Sequence, residues 1–88
     1  MKIKEGFVIE KVGSSYIAVA VGEAAKNFSG LVRMNESGAF MWNLIKESDL
    51  TKEELITALL SEYDAPREVV ERDVASFEEK LRDAGIIE

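Results

Sequence analysis

The apolar pattern of this chain changes period at Asn35, and that change limits the fold more than any other feature. Before it, short β-branched runs alternate with glycine and serine. Phe7-Val8-Ile9-Glu10-Lys11-Val12 ends at Gly13-Ser14-Ser15, and Tyr16-Ile17-Ala18-Val19-Ala20-Val21 ends at Gly22. Two such runs around a short turn read as a β-hairpin. A loop from Gly22 to Ser29 follows, with Asn27 as turn former, and Gly30 opens a third strand, Leu31 to Met34. After Asn35 the spacing becomes helical. Gly38, Met41, Trp42 and Ile45 recur at i, i+3, i+4 and i+7, and Phe40 and Leu44 widen the stripe. Asn35 offers a side-chain oxygen as cap, and the helix is expected to run to Lys46.

Two more helices follow. Thr51-Lys52-Glu53-Glu54 has the capping-box pattern, with Thr51 at the cap and Glu54 reaching back. Leu55, Ile56, Leu59, Leu60 and Tyr63 line one face behind it. Asp64-Ala65-Pro66 ends that helix and starts the next, because proline suits a first turn. Val70, Val74, Phe77 and Leu81 then repeat at helical spacing, Gly85 stops the helix, and Ile86-Ile87 return to the core. The expected fold is α+β and winged helix-turn-helix-like, a three-stranded antiparallel sheet followed by three helices. At 88 residues it forms one domain, residues 1–88.

Composition narrows the chemistry. There is no cysteine and no histidine, so thiolate sites, a Ser-His pair and imidazole ligands are all excluded. No glycine-rich phosphate loop and no calcium loop occurs. The paired carboxylates Glu53-Glu54 and Glu78-Glu79 read as solvated helix faces. No catalytic residue, metal site or cofactor is expected, and the chain reads as a non-enzyme. The start, Met1-Lys2-Ile3-Lys4-Glu5-Gly6, lacks the apolar core of a secretory signal, and the longest apolar run, Ile17 to Val21, is too short to span a bilayer. No membrane association is expected, and the cytoplasm is the default compartment.

Charge bears on the partner. The net charge is −6, with five basic and three acidic side chains in residues 1–34 but six and fourteen in residues 35–88. A winged helix invites a DNA-binding alternative, that of a transcription regulator. Its third helix, Arg67 to Asp83, would carry four basic and six acidic side chains, which phosphates repel. No nucleic-acid partner is expected, and a protein-interaction role fits better. The third strand is the candidate surface, since an exposed sheet edge can accept a peptide as an added strand. The same edge allows either a monomer or a weak, strand-swapped dimer. Replacing Val32 with proline is expected to remove a donor from that edge, provided its N–H points outward. Trp42 reads as a core anchor. Asp73, beside the stripe of the third helix, is expected to be partly buried, paired with a cation such as Arg33 or placed at a groove.

Three segments resemble one family. They are Leu31-x-x-Met34-Asn35-Glu36-Ser37-Gly38-Ala39-Phe40-x-Trp42-x-Leu44, then Thr51-x-x-Glu54-Leu55-Ile56-x-x-Leu59, and Asp73-Val74-x-x-Phe77-x-x-x-Leu81-x-x-x-Gly85-Ile86-Ile87. In this order and spacing they resemble PqqD-like proteins, small peptide-recognition modules also called RiPP recognition elements. The resemblance implies a peptide chaperone of natural-product biosynthesis. It would bind the leader of a ribosomally made precursor and present it to a modifying enzyme, commonly a radical S-adenosylmethionine (SAM) enzyme. It implies a leader strand beside Leu31, Val32, Arg33 and Met34, facing Val69, Val70, Asp73, Val74 and Phe77. Members serving pyrroloquinoline quinone synthesis usually carry a proline- and glutamate-containing stretch before the third strand and an Asp-Gly pair after the first helix. Here those regions read Asn27-Phe28-Ser29-Gly30 and Lys46-Glu47-Ser48-Asp49, which favours another modified peptide.

Overall fold

A computed structural model describes residues 1–26 and 31–87. Strand β1 (Phe7–Val12) and strand β2 (Ser15–Ala20) form an antiparallel hairpin, followed by a short 3-10 helix (Gly22–Lys26). Strand β3 (Val32–Met34) pairs antiparallel with β2, giving the order β1-β2-β3. Helices α1 (Glu36–Glu47), α2 (Lys52–Glu62) and α3 (Arg67–Asp83) complete the chain. The fold is therefore the expected α+β arrangement. The turn former Asn27 and the strand opening at Gly30 lie outside the described residues.

The hairpin turn is one residue shorter than the sequence suggests. Val12 pairs with Ser15, so only Gly13 and Ser14 form the loop, and Ser15 joins β2. Gly13 takes φ 63° while Ser14 does not enter the left-handed region. That is the pattern of a type II′ turn, which demands glycine at its first central position.

This turn fixes which backbone groups face outward. Val21 N–H donates to Gly6 C=O at 2.7 Å, one step beyond the Phe7–Ala20 pair. Antiparallel ladders alternate, so Phe7, Ile9 and Lys11 direct their N–H and C=O away from β2. By the same alternation Tyr16 and Ala18 bond to Met34 and Val32, and Arg33 directs both backbone groups to the open edge of β3. The proviso on Val32 therefore fails: its N–H points inward to β2, and the outward donor in β3 belongs to Arg33.

The helices cover one face of the sheet. Phe7, Ala18, Val32 and Met34 meet Met41, Trp42 and Ile45 of α1, Leu55, Ile56 and Leu59 of α2, and the α3 stripe Val70, Val74, Phe77 and Leu81. Trp42 is buried there, as its register with Gly38 and Ile45 requires. The caps form as read. Asn35 Oδ1 accepts from Gly38 N–H at 2.9 Å, and Thr51 and Glu54 complete a capping box. Pro66 sits at the N-cap of α3, just outside the helix. At the other end Gly85 N–H reaches Arg82 C=O and Ile86 N–H reaches Leu81 C=O, a Schellman closure. It turns Ile86 and Ile87 into the core, where Ile87 bridges to Ile3.

Candidate functional site

The edge of β3 does not face open solvent. It faces α3 across a groove of about 500 Å³. Ser14 and Ser15 of the hairpin close one end, and Asn35, Ser37, Gly38 and Met41 at the start of α1 form the floor. Arg33 and Met34 supply the strand wall, and Asp73, Ser76, Phe77 and Lys80 supply the helix wall. Helical geometry explains the α3 set. With Val74, Phe77 and Leu81 turned to the core, residues 73, 76 and 80 share the flank beside them.

Gly38 makes the floor possible. A Cβ there would sit 2.9 Å from the Cβ of Met34, so only glycine lets α1 start this close to β3. The Asn35 side chain is committed to the cap, accepting from Gly38 N–H and from the Ser37 hydroxyl, both at 2.9 Å. A smaller apolar pocket of about 200 Å³ adjoins the groove. Leu59, Tyr63, Ala65 and Val70 line it, and it shares Ser37, Met41 and Asp73 with the groove. Burial, with Glu36 and Glu62 nearby, raises the pKa of Tyr63, so its phenol stays protonated. Phe40 packs edge-to-face on that ring with centroids 5.7 Å apart.

Ion pairs brace the helix wall from behind. Arg67 on α3 pairs with Glu53 of α2 and with Glu71, and these bonds raise its pKa. Lys52 of α2 pairs with Glu78 at 3.5 Å. Within the groove the charges are Arg33 and Lys80 against Asp73. Lys80 Nζ crosses to donate to Arg33 C=O at 3.1 Å, so a helix side chain already bonds the open strand edge.

The residues singled out in the sequence are distributed unevenly. Arg33, Met34, Asp73 and Phe77 line the groove, and Val70 lines the adjoining pocket. Val32 and Val74 are core residues. Leu31, just before β3, and Val69 are exposed and line neither cavity. Asp73 is exposed rather than partly buried, and it makes no ion pair with Arg33. Ser14, Ser15, Ser76 and Lys80 belong to the groove and escape a linear reading. For Ser76 and Lys80 the available signal is their spacing of three and seven from Asp73. Among the described residues, no group of three or more acidic side chains could hold a metal ion. No helix among them is long and apolar enough to cross a membrane.

A three-stranded antiparallel sheet followed by three helices, with the last strand facing the last helix across a groove, is a winged-helix-like α+β architecture. The sequence profile of coenzyme PQQ synthesis protein D (PqqD) matches residues 15–87, and the chain belongs to the PqqD family. Among solved structures, TbiB1, determined in complex with the TbiA(beta) leader peptide, is 24% identical with a TM-score of 0.74. That alignment covers 100% of this chain and 95% of TbiB1. Lasso peptide synthetase B1, complexed with the leader peptide, is 15% identical with a TM-score of 0.71, over 97% of this chain and 93% of its own. No curated protein sequence matches the chain.

Proposed function

We propose that this chain is a non-catalytic recognition element that holds the leader of a ribosomally made precursor peptide in the β3–α3 groove. The observation that carries this is the outward pair of backbone groups on Arg33, which faces α3 across a groove of about 500 Å³. The leader strand would bond Arg33 N–H and C=O and rest side chains on Met34, Phe77 and the apolar pocket. Two proteins of the same fold, TbiB1 and lasso peptide synthetase B1, were solved with leader peptides, which supports this reading. Membership in the PqqD family supports presentation to a separate maturation enzyme, and a radical SAM enzyme is the partner we infer. Such a module needs no cofactor and acts in the cytoplasm beside that enzyme. Titrating the ¹⁵N-labelled protein with the leader half of a candidate precursor, taken from a short open reading frame flanking its gene, tests the site. Amide shifts should concentrate at Arg33, Ser76 and Lys80. Shifts confined to β1, or none at all, would reject it.

A further inference from the structure

Resting on the groove as the leader site, we propose that Lys80 is a displaceable latch on the β3 edge that makes the groove select an acidic peptide strand. Arg33 is the residue of β3 that directs both backbone groups outward, so an added strand must use its C=O as well as its N–H. That carbonyl already accepts the Lys80 ammonium at 3.1 Å. An added strand brings its own N–H to that carbonyl and its backbone into the space that the Lys80 side chain crosses to reach it. Strand addition therefore moves Lys80 off.

The displaced ammonium needs a new partner. Asp73 lies seven residues earlier on α3, about 10 Å back along the helix axis, at the end shared with the apolar pocket. Asp83, one turn further on, is outside the groove lining, so pairing with it withdraws the amine from the site. A carboxylate on the incoming strand opposite Arg33 keeps the amine in the groove. It exchanges a bond to a neutral carbonyl for a charge-assisted one. An uncharged strand receives no such exchange, so the latch discriminates against it.

The test uses the full chain and two peptides: the leader half of that candidate precursor, and the same peptide with every Asp and Glu replaced by Asn and Gln. Calorimetric titration should show the wild-type protein binding the acidic peptide at least fivefold tighter. In Lys80→Met, which keeps the aliphatic stem, that ratio should fall close to one, and the amide peptide should bind more tightly than it does to wild type. Lys80→Arg should retain the preference. In the free protein, Lys80→Met should shift the Arg33 carbonyl ¹³C resonance. An acidic preference equal in wild type and Lys80→Met would overturn the latch, as would an unmoved Arg33 carbonyl or a leader without carboxylates. In those cases amide shifts at Arg33 and Ser76 on titration would leave the groove itself standing. Absence of any groove shift with either peptide would defeat both readings. Lys80 is exposed, so its variants fold, and thermal melts verify this.

Discussion

The sheet has two edges, and they are built to opposite ends. β1 offers six residues and three sets of outward backbone groups, at Phe7, Ile9 and Lys11. β3 offers three residues and one such set, at Arg33. Each edge has a lysine amine on an outward carbonyl: Lys46 of α1 on Phe7 at 2.9 Å, and Lys80 of α3 on Arg33 at 3.1 Å. Among the described residues, the shorter edge lines a groove against α3, and no β1 residue lines that groove or the pocket beside it. On the proposed reading, length alone does not make an acceptor edge. A peptide bound to one strand gains backbone bonds but leaves its side chains in water. A peptide between a strand and a helix buries them as well, and the pockets supply selectivity. β1 also carries the exposed charges Glu10 and Lys11, which discourage pairing with another chain.

The largest effects come from each edge strand's core anchor. Phe7 and Met34 are both buried, so truncating either leaves a cavity. Phe7→Ala should cost about 3–5 kcal/mol and Met34→Ala about 2–5 kcal/mol by urea denaturation. The edges part company in binding. Affinity for the leader peptide, corrected for the folded fraction, should survive Phe7→Ala and fall in Met34→Ala, whose side chain also lines the groove. Equal losses in both variants would erase the functional difference between the edges.

Proline scanning sharpens the contrast at the backbone. Arg33→Pro and Lys11→Pro each remove one outward N–H, a position an edge strand tolerates. Arg33→Pro should weaken leader binding about three- to tenfold, the worth of one hydrogen bond, while Lys11→Pro should leave it unchanged. Val32→Pro instead breaks the β2–β3 ladder and should lower the melting temperature. A Val32→Pro protein that melts like wild type would show that the ladder parity is wrong.

That parity marks the limit of what the sequence discloses. Asn35, the Thr51–Glu54 box and Gly85 are local devices, each readable from a few neighbouring residues, and each forms. The stripes of α1 and α3 are equally legible because one helix period sets them. Choosing between Val32 and Arg33 depends on whether the hairpin loop has two residues or three. A shift of one residue exchanges every inward and outward group along the strand. The Gly13-Ser14-Ser15 run is compatible with both lengths. Asp73 lies beside the stripe but faces a groove instead of a packed neighbour. Its exposure depends on the distance between α3 and β3, which no spacing within α3 encodes. Ser14 and Ser15 reach the groove for the same reason, since the hairpin tip and α3 line one cavity only in the folded chain.

The smallest effect asks whether the wall of the favoured edge depends on its bracing. The first turn of α2 carries Lys52 and Glu53, which pair with Glu78 and Arg67 of α3. The Thr51–Glu54 box holds that turn in place. Thr51→Ala should cost about 1 kcal/mol through loss of the cap. Glu54 accepts the Thr51 N–H at 2.9 Å, and that bond, with further bonding to the Thr51 side chain, lowers its pKa. A lowered folded-state pKa stabilises above the unfolded carboxyl value of about 4.3 and is lost as pH falls through the folded value. Thr51→Ala keeps the backbone N–H that bonds Glu54, so only the side-chain share of this lowering differs between the two proteins, and their stability gap should hold from neutral pH down to about 5 and narrow slightly below about 4. It should not close, because the Thr51 hydroxyl still accepts from Glu54 N–H at low pH. Hydrogen exchange at β1 should not respond to Thr51→Ala. Faster exchange at β3 and α3 together would show that α2 holds the groove's helix wall. No change there would mean that the buried Val70, Val74, Phe77 and Leu81 hold α3 without the surface ion pairs, as the small worth of exposed pairs suggests.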